Sequence, residues 1–358
     1  MRTDELSYDL PEDLIATRPA APRDSAKLLV ISRSDPQRLE HRLVRDLPGL
    51  LRSGDRLVVN TSRVLPARFA GRSINTGGKV SGLYLRDGDE PGTWIVLLKM
   101  RRHRVGSTLE IEPRDPGEVG VRLTILGPAA DEDGAWVVRA SDPSGGALDR
   151  IGLPPLPPYI LSRRDRSGEA RDRDDDPDRY QTVYAEQPGS VAAPTAGLHF
   201  TPELFRRLGD AGIARTETVL HVGRGTFAPV EAERVEDHPM HAEWCSMTPA
   251  ARAELASTRA AGGRVIAVGT TSCRTIESFA AANDLETALT TRLLITPGYR
   301  WLATDGLLTN FHLPRSTLLA MVAALLPGGV DRLMAVYAEA IRARYRFYSF
   351  GDAMLVLP

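Results

Sequence analysis

The chain has little cysteine and no long apolar run among its 358 residues. Its two cysteines, Cys245 and Cys273, are too few for a disulfide framework and lack the spacing of a metal site. The longest apolar run, Leu318 to Leu326, is far too short to cross a bilayer. The first residues also lack the apolar core of a signal peptide. We therefore expect a cytoplasmic protein that binds neither metal nor membrane.

Excess positive charge is also missing, because the formal net charge is −1. The net charge therefore predicts no general attraction to nucleic acid. RNA binding would need a local patch of positive charge. One basic run, from Lys99 to Arg104, offers such a patch in a predicted loop. The same run also fits an ordinary solvated loop. The candidate RNA-binding residues are Lys99, Arg101, Arg102 and Arg104.

The length of the chain favours two domains. After a strand at residues 56–60, six short alternating runs separated by Gly-, Asp- and Pro-rich turns predict a small antiparallel β-barrel. These runs are residues 67–74, 79–86, 93–99, 107–112, 119–126 and 135–141. We predict an α/β fold, a discontinuous domain with a mostly parallel sheet, interrupted by the barrel. Its parts are residues 1–62, the barrel domain at 63–152, and residues 153–358.

Residues 162–179 are nearly all charged and predict a mobile loop. Strands and helices alternate after this segment. A helix capped by Thr201 is expected over 202–208, a strand over 216–222, a helix over 248–262, and buried strands over 264–268 and 292–296. Two helices, over 314–326 and 330–345, precede a closing strand.

Three loops that follow strands combine small and hydroxyl residues: 221–227, 269–272 and 309–317. Ligands of open α/β sheets bind beyond the carboxyl ends of the strands. Two of these loops also open helices, whose free N–H groups attract anions. The small residues of 192–197 would let a backbone or a flat ligand approach closely. From these features we predict one ligand crevice that the loops line together.

Three histidines, His199, His221 and His312, fall in or beside these loops. A neutral imidazole is a plausible general base, although a hydrogen-bonded structural histidine is the commoner role for each of the three taken alone. His238 and His241 form a His-x-x-His pair without a third ligand, so a metal site is not expected. No phosphate-loop or Rossmann signature is present.

Seven motifs closely resemble the S-adenosylmethionine:tRNA ribosyltransferase-isomerase family, and together they span almost the whole chain. They are Tyr180–Ala185, Ala192–Phe200, Leu220–Phe227, Met240-His241, Ala267–Ser272, Thr309–Pro314 and Ser349–Met354. The resemblance implies the α/β fold with an inserted barrel. It also implies that S-adenosylmethionine is consumed as a ribosyl donor to 7-aminomethyl-7-deazaguanine in tRNA. Epoxyqueuosine, adenine and methionine would be the products.

The same resemblance implies roles for individual residues. His199, His221 and His312 would share the proton transfers, and Arg274 or Arg315 would take the methionine carboxylate. The sugar hydroxyls or the adenine edges would be bound by Thr195, Thr226, Thr270 and Asn310. The full set of candidate S-adenosylmethionine contacts is Pro194, Thr195, Ala196, Gly223, Gly225, Thr226, Gly269, Thr270, Thr271, Arg274, Asn310 and Arg315. No other cofactor is implied, and we expect a monomer with tRNA as its partner.

Two positions depart from the family pattern, because Thr61 and Ser81 stand where the family has acidic residues. If those carboxylates handle the acceptor amine, the acceptor here would be a small molecule or another base. A non-catalytic RNA-binding relative is the remaining alternative. The sequence leaves these three functions open.

Overall fold

The structure, a computed structural model, describes residues 1–35, 37–142, 144–223, 230–282 and 286–358. The strands of this part of the chain are β1 (Lys27–Ser32), β2 (Leu39–Leu43), β3 (Arg56–Asn60), β4 (Ser62–Val64), β5 (Arg68–Ser73), β6 (Lys79–Asp87), β7 (Thr93–Lys99), β8 (Thr108–Ile111), β9 (Val121–Pro128), β10 (Ala135–Ala140), β11 (Gln187–Ser190), β12 (Ala214–Leu220), β13 (Glu243–Ser246), β14 (Val265–Val268), β15 (Ala288–Thr291), β16 (Gly306–Asn310) and β17 (Ala353–Leu357). The α-helices are α1 (Leu47–Leu50), α2 (Gly145–Ile151), α3 (Pro158–Ser167), α4 (Asp176–Arg179), α5 (Pro202–Asp210), α6 (Pro249–Ala260), α7 (Thr270–Ala281), α8 (Thr317–Leu325) and α9 (Gly329–Arg342).

A single large sheet forms the centre of the α/β part. Within the described residues it has nine strands in the order β15-β13-β12-β3-β14-β16-β17-β1-β2. Its middle strands β12, β3, β14 and β16 are parallel, and β17 is parallel to β1. The remaining four pairings are antiparallel in this part of the chain. The predicted α/β fold is confirmed, and its sheet is mixed, with the parallel strands at the centre.

Both faces of this sheet are covered by apolar residues. One face packs against α6, α7, α8 and α9 through side chains such as Leu255, Ile276 and Val336. The other face packs against α1 and α5 through Leu47 and Leu204. Burial on both sides explains why β14 reads as an uninterrupted apolar run.

The predicted helix caps are present at both positions where the sequence indicated them. Thr201 Oγ1 accepts a hydrogen bond from Leu204 N at 3.0 Å, and Thr248 Oγ1 accepts one from Ala251 N at 3.1 Å. Each bond satisfies an N–H group that has no partner inside its helix. The caps therefore fix where α5 and α6 begin.

Strands β5 to β10 close into an antiparallel barrel in the order β10-β7-β6-β5-β8-β9. Its interior is filled by side chains such as Phe69, Val96 and Leu123, which are fully buried. The predicted barrel inserted into the α/β fold is confirmed. The exact domain boundaries at residues 62/63 and 152/153 stay a prediction.

Two local predictions are wrong. The expected loop over 162–179 contains the end of α3 and all of α4, because its opposite charges pair with one another. Residues 292–296 do not form the expected strand, because β15 ends at Thr291. The Leu293 carbonyl accepts a hydrogen bond from Arg274 Nε at 3.1 Å. The Leu293 carbonyl is therefore bonded to the Arg274 side chain and not to a neighbouring strand.

No single helix of the described chain is long and apolar enough to cross a membrane. Among the described helices, α8 and α9 are long and apolar enough only when they are taken together, and they are bent by 105° at the break between them.

The ion pair between Arg164 and Asp176 yields a stability prediction. Both side chains are almost fully buried, and two hydrogen bonds of 2.6 and 2.7 Å join them. Asp176→Ala would leave a buried guanidinium without its charge partner, which costs about 3–5 kcal/mol. We expect urea denaturation to report a loss of that size, whereas Arg206→Ala, which removes an exposed pair with Glu203, should change stability little. Equal stability of the two variants would contradict this account.

Candidate active site

The ends of three elements meet at one buried side chain, that of Asn60, which is 0% exposed. Its Nδ2 donates to the Leu220 carbonyl at 2.9 Å and to Thr271 Oγ1 at 3.3 Å. Its Oδ1 accepts from Leu220 N at 3.0 Å and Ser62 N at 3.1 Å. The carboxyl ends of β3 and β12 are thereby joined to the first turn of α7. Two of the strand-end loops predicted to form the site start here.

The small-residue stretch at 192–197 is attached to the same place. Ser190 Oγ donates to Ser62 Oγ at 2.7 Å and accepts from Val222 N at 3.0 Å. Val191 N donates to the Val222 carbonyl at 3.0 Å. These bonds bring the start of the stretch against the residue that follows β12.

A narrow hollow, which we call the inner pocket, lies among these loops. Its volume is about 20 Å³, enough for one water molecule. Gly269, at its edge, has φ +88°, a conformation that other residues rarely adopt. Seven of the predicted ligand-binding and catalytic residues meet here. The pocket is lined by Ala193, Pro194, Thr195, Ala196, Val222, Gly269, Thr270, Thr271, Thr309, His312 and Leu318.

A second hollow, the arginine pocket, shares Leu318 with the inner pocket and also holds about 20 Å³. Its lining combines apolar side chains with the polar residues His238, His241, Glu243, Arg274 and Thr317. It consists of His238, Met240, His241, Glu243, Arg274, Leu293, Leu294, Ile295, Thr317, Leu318 and Met321.

Arg274 is 3% exposed and forms an ion pair with Glu243, which is 5% exposed. Glu243 Oε1 in turn accepts a hydrogen bond from Gly223 N at 3.2 Å. The Nη2 atom of Arg274 is buried and has no hydrogen-bond partner in the part of the chain that the structure describes. A buried guanidinium nitrogen of this kind can donate to an anionic ligand.

A third and much larger hollow, the outer cleft, has a volume of about 1070 Å³. It shares Val222 with the inner pocket and Glu243 with the arginine pocket. The barrel forms one wall through Leu85, Arg86 and the turn between β9 and β10, residues 131–134. The opposite wall belongs to the α/β part and includes His221 and Trp244. Of the three hollows described here, it is the one large enough for a small-molecule ligand.

The three predicted catalytic histidines do not share one environment. His199 is 5% exposed, and its Nε2 lies 3.4 Å from Asn310 Nδ2. It does not line any of the three hollows described above. Burial lowers the pKa of His199 to about 4.

His221 faces the outer cleft. Its ring packs against Trp244 with centroids 4.7 Å apart, and a Cβ at Gly189 would lie only 2.3 Å from the ring. Glycine at position 189 is therefore required for this placement of the imidazole. The Nε2 atom of His221 has no hydrogen-bond partner, and burial lowers the pKa of the side chain.

His312 lies in the inner pocket. Its Nε2 is 2.8 Å from Thr309 Oγ1, and its backbone N–H donates to the Tyr337 hydroxyl at 2.8 Å. Burial lowers the pKa of His312 to about 3. Burial therefore keeps both His221 and His312 neutral near pH 7.

Other predicted ligand residues lie elsewhere or outside the described residues. Asn310 Nδ2 donates to the Tyr348 carbonyl at 3.1 Å, beside His199 and not in a hollow described here. Arg315 is exposed and lines none of the three hollows. Gly223 lines the outer cleft. Gly225 and Thr226 lie outside the described residues.

The basic run predicted to bind RNA is exposed and lies beside the outer cleft. Lys99, Arg101, Arg102 and Arg104 carry no ion pair among the described residues. Leu97, two residues before Lys99, pairs with Ala135, which follows the turn in the cleft wall. The His103 ring also stacks on Trp136 at 4.8 Å. This loop therefore adjoins the barrel wall of the cleft.

The two departures from the family pattern do not line these three hollows. Thr61 is 2% exposed, donates to the Thr218 carbonyl at 3.3 Å, and lines a separate groove beside β12. Ser81 is exposed on β6, opposite Lys99. Neither substitution removes a carboxylate from the wall of the outer cleft.

Sequence reasoning missed Glu243 and Trp244. Both belong to the short strand β13 directly after the Met240-His241 motif. A lone acidic residue in an otherwise uncharged strand was a usable signal for a buried ion pair. No feature of the sequence indicated that residues 131–134 of the barrel would face His221. Among the described residues, no group of three or more His, Cys, Asp or Glu side chains is arranged to hold a metal.

Comparison with known proteins gives a consistent result. The model of the queuosine biosynthesis protein family matches residues 3–356. An S-adenosylmethionine:tRNA ribosyltransferase-isomerase of Gloeobacter violaceus is 47% identical, with 99% of this chain and 96% of that protein aligned. The one of Moorella thermoacetica is 46% identical over the whole of both chains. The crystal structure of an S-adenosylmethionine tRNA ribosyltransferase from Thermotoga maritima is similar with a TM-score of 0.53, 33% identity, and 99% of this chain and 100% of that chain covered.

The buried histidines predict how stability depends on pH. His199 and His312 have folded-state pKa values of about 4 and about 3, below the ordinary 6.5. The unfolded chain therefore binds more protons below pH 6.5, and each histidine should remove up to roughly 1.4 kcal/mol of stability per pH unit on acidification. Urea denaturation of the wild type and of the His199→Gln/His312→Gln variant between pH 7.5 and 5 tests this. The variant should show the shallower slope, and identical slopes would contradict the assignment.

Proposed function

The chain belongs to the queuosine biosynthesis protein family, and on that premise we propose that it is an S-adenosylmethionine:tRNA ribosyltransferase-isomerase. It transfers and isomerises the ribosyl unit of S-adenosylmethionine onto a 7-aminomethyl-7-deazaguanine base in tRNA. The products are epoxyqueuosine-tRNA, adenine and methionine. The observation that carries the proposal is full-length identity of 46–47% to relatives that bear this name. A cytoplasmic location and activity as a monomer without a metal belong to the same proposal.

The reaction needs a site that moves protons and holds a cation. The sulfonium of S-adenosylmethionine acidifies the carbon bonded to it, so a base must take a proton there. Adenine leaves more readily when it is protonated, and methionine leaves as a neutral thioether. The nitrogen of the acceptor amine forms the new bond between the base and the rearranged ribosyl unit.

We assign the methionine carboxylate of the donor to Arg274, where the arginine pocket adjoins the outer cleft at Glu243. Arg274 Nη2 is a buried donor without a hydrogen-bond partner among the described residues, and it is suited to a carboxylate. The arginine pocket holds only about 20 Å³, so the methylene groups and the S-methyl group would extend past Met240, which lines both hollows, into the outer cleft. Arg274 is favoured over Arg315 because Arg315 is exposed outside the hollows.

The ribose would lie where the inner pocket and the outer cleft meet, at Val222. The inner pocket is too small for a nucleoside, so Thr195 and Thr270 would contact only its edge, and the bulk would extend into the outer cleft. His221 and His312, one on each side of Val222, are the proposed proton-transfer residues. His199 instead acts through Asn310 as a positioning residue.

The tRNA would approach over the barrel wall. Lys99, Arg101, Arg102 and Arg104 would contact phosphates beside the opening of the outer cleft, because exposed basic side chains attract the backbone of RNA. Thr61 and Ser81 line none of the three hollows, although Ser81 pairs with Lys99 of the basic run. No contact in the described structure favours an acceptor other than tRNA.

The function itself is tested by following product release. Purified protein with S-adenosylmethionine should release adenine and methionine when tRNA carrying 7-aminomethyl-7-deazaguanine is added, and chromatography measures both. The same tRNA with guanine at that position is the control and should give none. Release with a free small amine would support a different acceptor, and tRNA retention without adenine release would support a non-catalytic RNA-binding protein.

The same assay separates the three histidines. His221→Gln and His312→Gln should each lower kcat by about 10²-fold or more, in the range that general acid–base groups contribute. His199→Gln should lower it less, because His199 does not line a hollow. Full turnover by both His221→Gln and His312→Gln would remove the proton-transfer assignment.

Arg274 and Arg315 differ in their expected effect on the donor. Arg274→Met/Glu243→Gln removes the carboxylate donor without leaving a buried carboxylate unpaired, and it should raise KM for S-adenosylmethionine by roughly 10- to 100-fold, the effect of one lost charge-assisted hydrogen bond. Arg315→Ala should leave KM unchanged. Circular dichroism of both variants controls for folding. The reverse pattern would move the carboxylate site to Arg315.

A further inference from the structure

Trp244 is a large aromatic side chain left open to solvent in the outer cleft. It is 40% exposed and lines the cleft together with His221. His221, directly after β12, lies opposite Trp244 of β13, since His221 N donates to the Trp244 carbonyl at 3.0 Å. The imidazole packs against the indole at 4.7 Å. Trp244 is thus held by a neighbouring ring, and much of its surface still faces the cleft.

Strand geometry separates Trp244 from the arginine pocket. Side chains alternate across a strand, so Trp244 projects from the face of β13 opposite to Glu243 and Cys245, which are both buried. Glu243 holds Arg274 on its own face. A ligand on Trp244 is therefore a different chemical group from the carboxylate that Arg274 would bind.

The surroundings of Trp244 indicate what that group is. The cleft volume of about 1070 Å³ exceeds the needs of one small molecule. The wall facing Trp244 is the barrel turn 131–134, and the exposed basic loop from Lys99 to Arg104 adjoins this wall. A polyanion bound over that loop would present its bases to the cleft.

We propose that Trp244 is the platform on which the acceptor base of tRNA stacks after it has left the base stack of the anticodon loop. The inference rests on the proposed function and adds a residue that reads the RNA substrate. RNA-binding proteins commonly hold single unstacked bases on aromatic side chains. A base stacked on Trp244 lies beside His221, whose Nε2 has no hydrogen-bond partner among the described residues.

The test measures RNA binding without turnover. The probe is an anticodon stem-loop RNA that carries 7-aminomethyl-7-deazaguanine, and its Kd is measured by fluorescence anisotropy without S-adenosylmethionine. Trp244→Ala should weaken binding roughly 10- to 100-fold, the effect of losing one base–aromatic stack. Trp244→Phe should retain binding within about threefold. Val119→Ala, an exposed apolar residue outside the cleft lining, is the matched control and should have no effect.

A second readout reports the stack directly. Stacking of a base on indole quenches its fluorescence, so the RNA should quench tryptophan emission of the wild type more than that of Trp244→Phe. The Kd for S-adenosylmethionine, measured by calorimetry, should be the same in all variants.

Each contrary outcome has one meaning. If the wild type binds the RNA and releases adenine but Trp244→Ala binds it equally well, the stacking role is wrong and the function stands. If Trp244→Ala weakens binding of S-adenosylmethionine and not of RNA, the platform holds the donor's adenine and the proposal is overturned. If the wild type neither binds the RNA nor releases adenine, the proposed function fails, and this inference fails with it.

Discussion

The hydrogen bonds of Asn60 are the constraint on which the candidate site depends. One buried amide satisfies backbone groups of Ser62 and Leu220 and holds Thr271 at the start of α7. An unpaired amide at 0% exposure would be costly, so these groups keep one geometry. Loops from distant parts of the sequence are thereby set beside each other. The junction thereby places Val222 and Thr271 in the wall of the inner pocket.

A second constraint is the way the barrel faces the sheet edge. The end of β12 and strand β13 place His221 and Trp244 in the outer cleft, while the barrel supplies the opposite wall. Neither part contains the cleft alone. The ion pair of Arg274 and Glu243 is buried, and Glu243 lines both the arginine pocket and the outer cleft. The small arginine pocket and the wide cleft are therefore adjacent at this residue.

Most of the fold could be predicted from the sequence, but less of the site could. Alternation and turn residues located the barrel strands, and Thr201 and Thr248 marked two helix starts. Pro194, Gly269 and His312 were predicted to meet, and they line one pocket. His199 and Arg315 were grouped with them because they stand in or next to the same motifs. Position in a motif does not decide which way a side chain points.

The sequence by itself determined the periodicity, the helix caps and the motif loops, because these depend on residues a few positions apart. Only the tertiary structure decided that Arg164 and Asp176 pair inside the protein, that Arg274 is buried with Glu243, and that Trp244 remains exposed in a cleft. These outcomes depend on which surfaces meet. Contacts between residues far apart in the chain are set by packing of the whole domain. A local sequence pattern does not identify the two partners of such a contact.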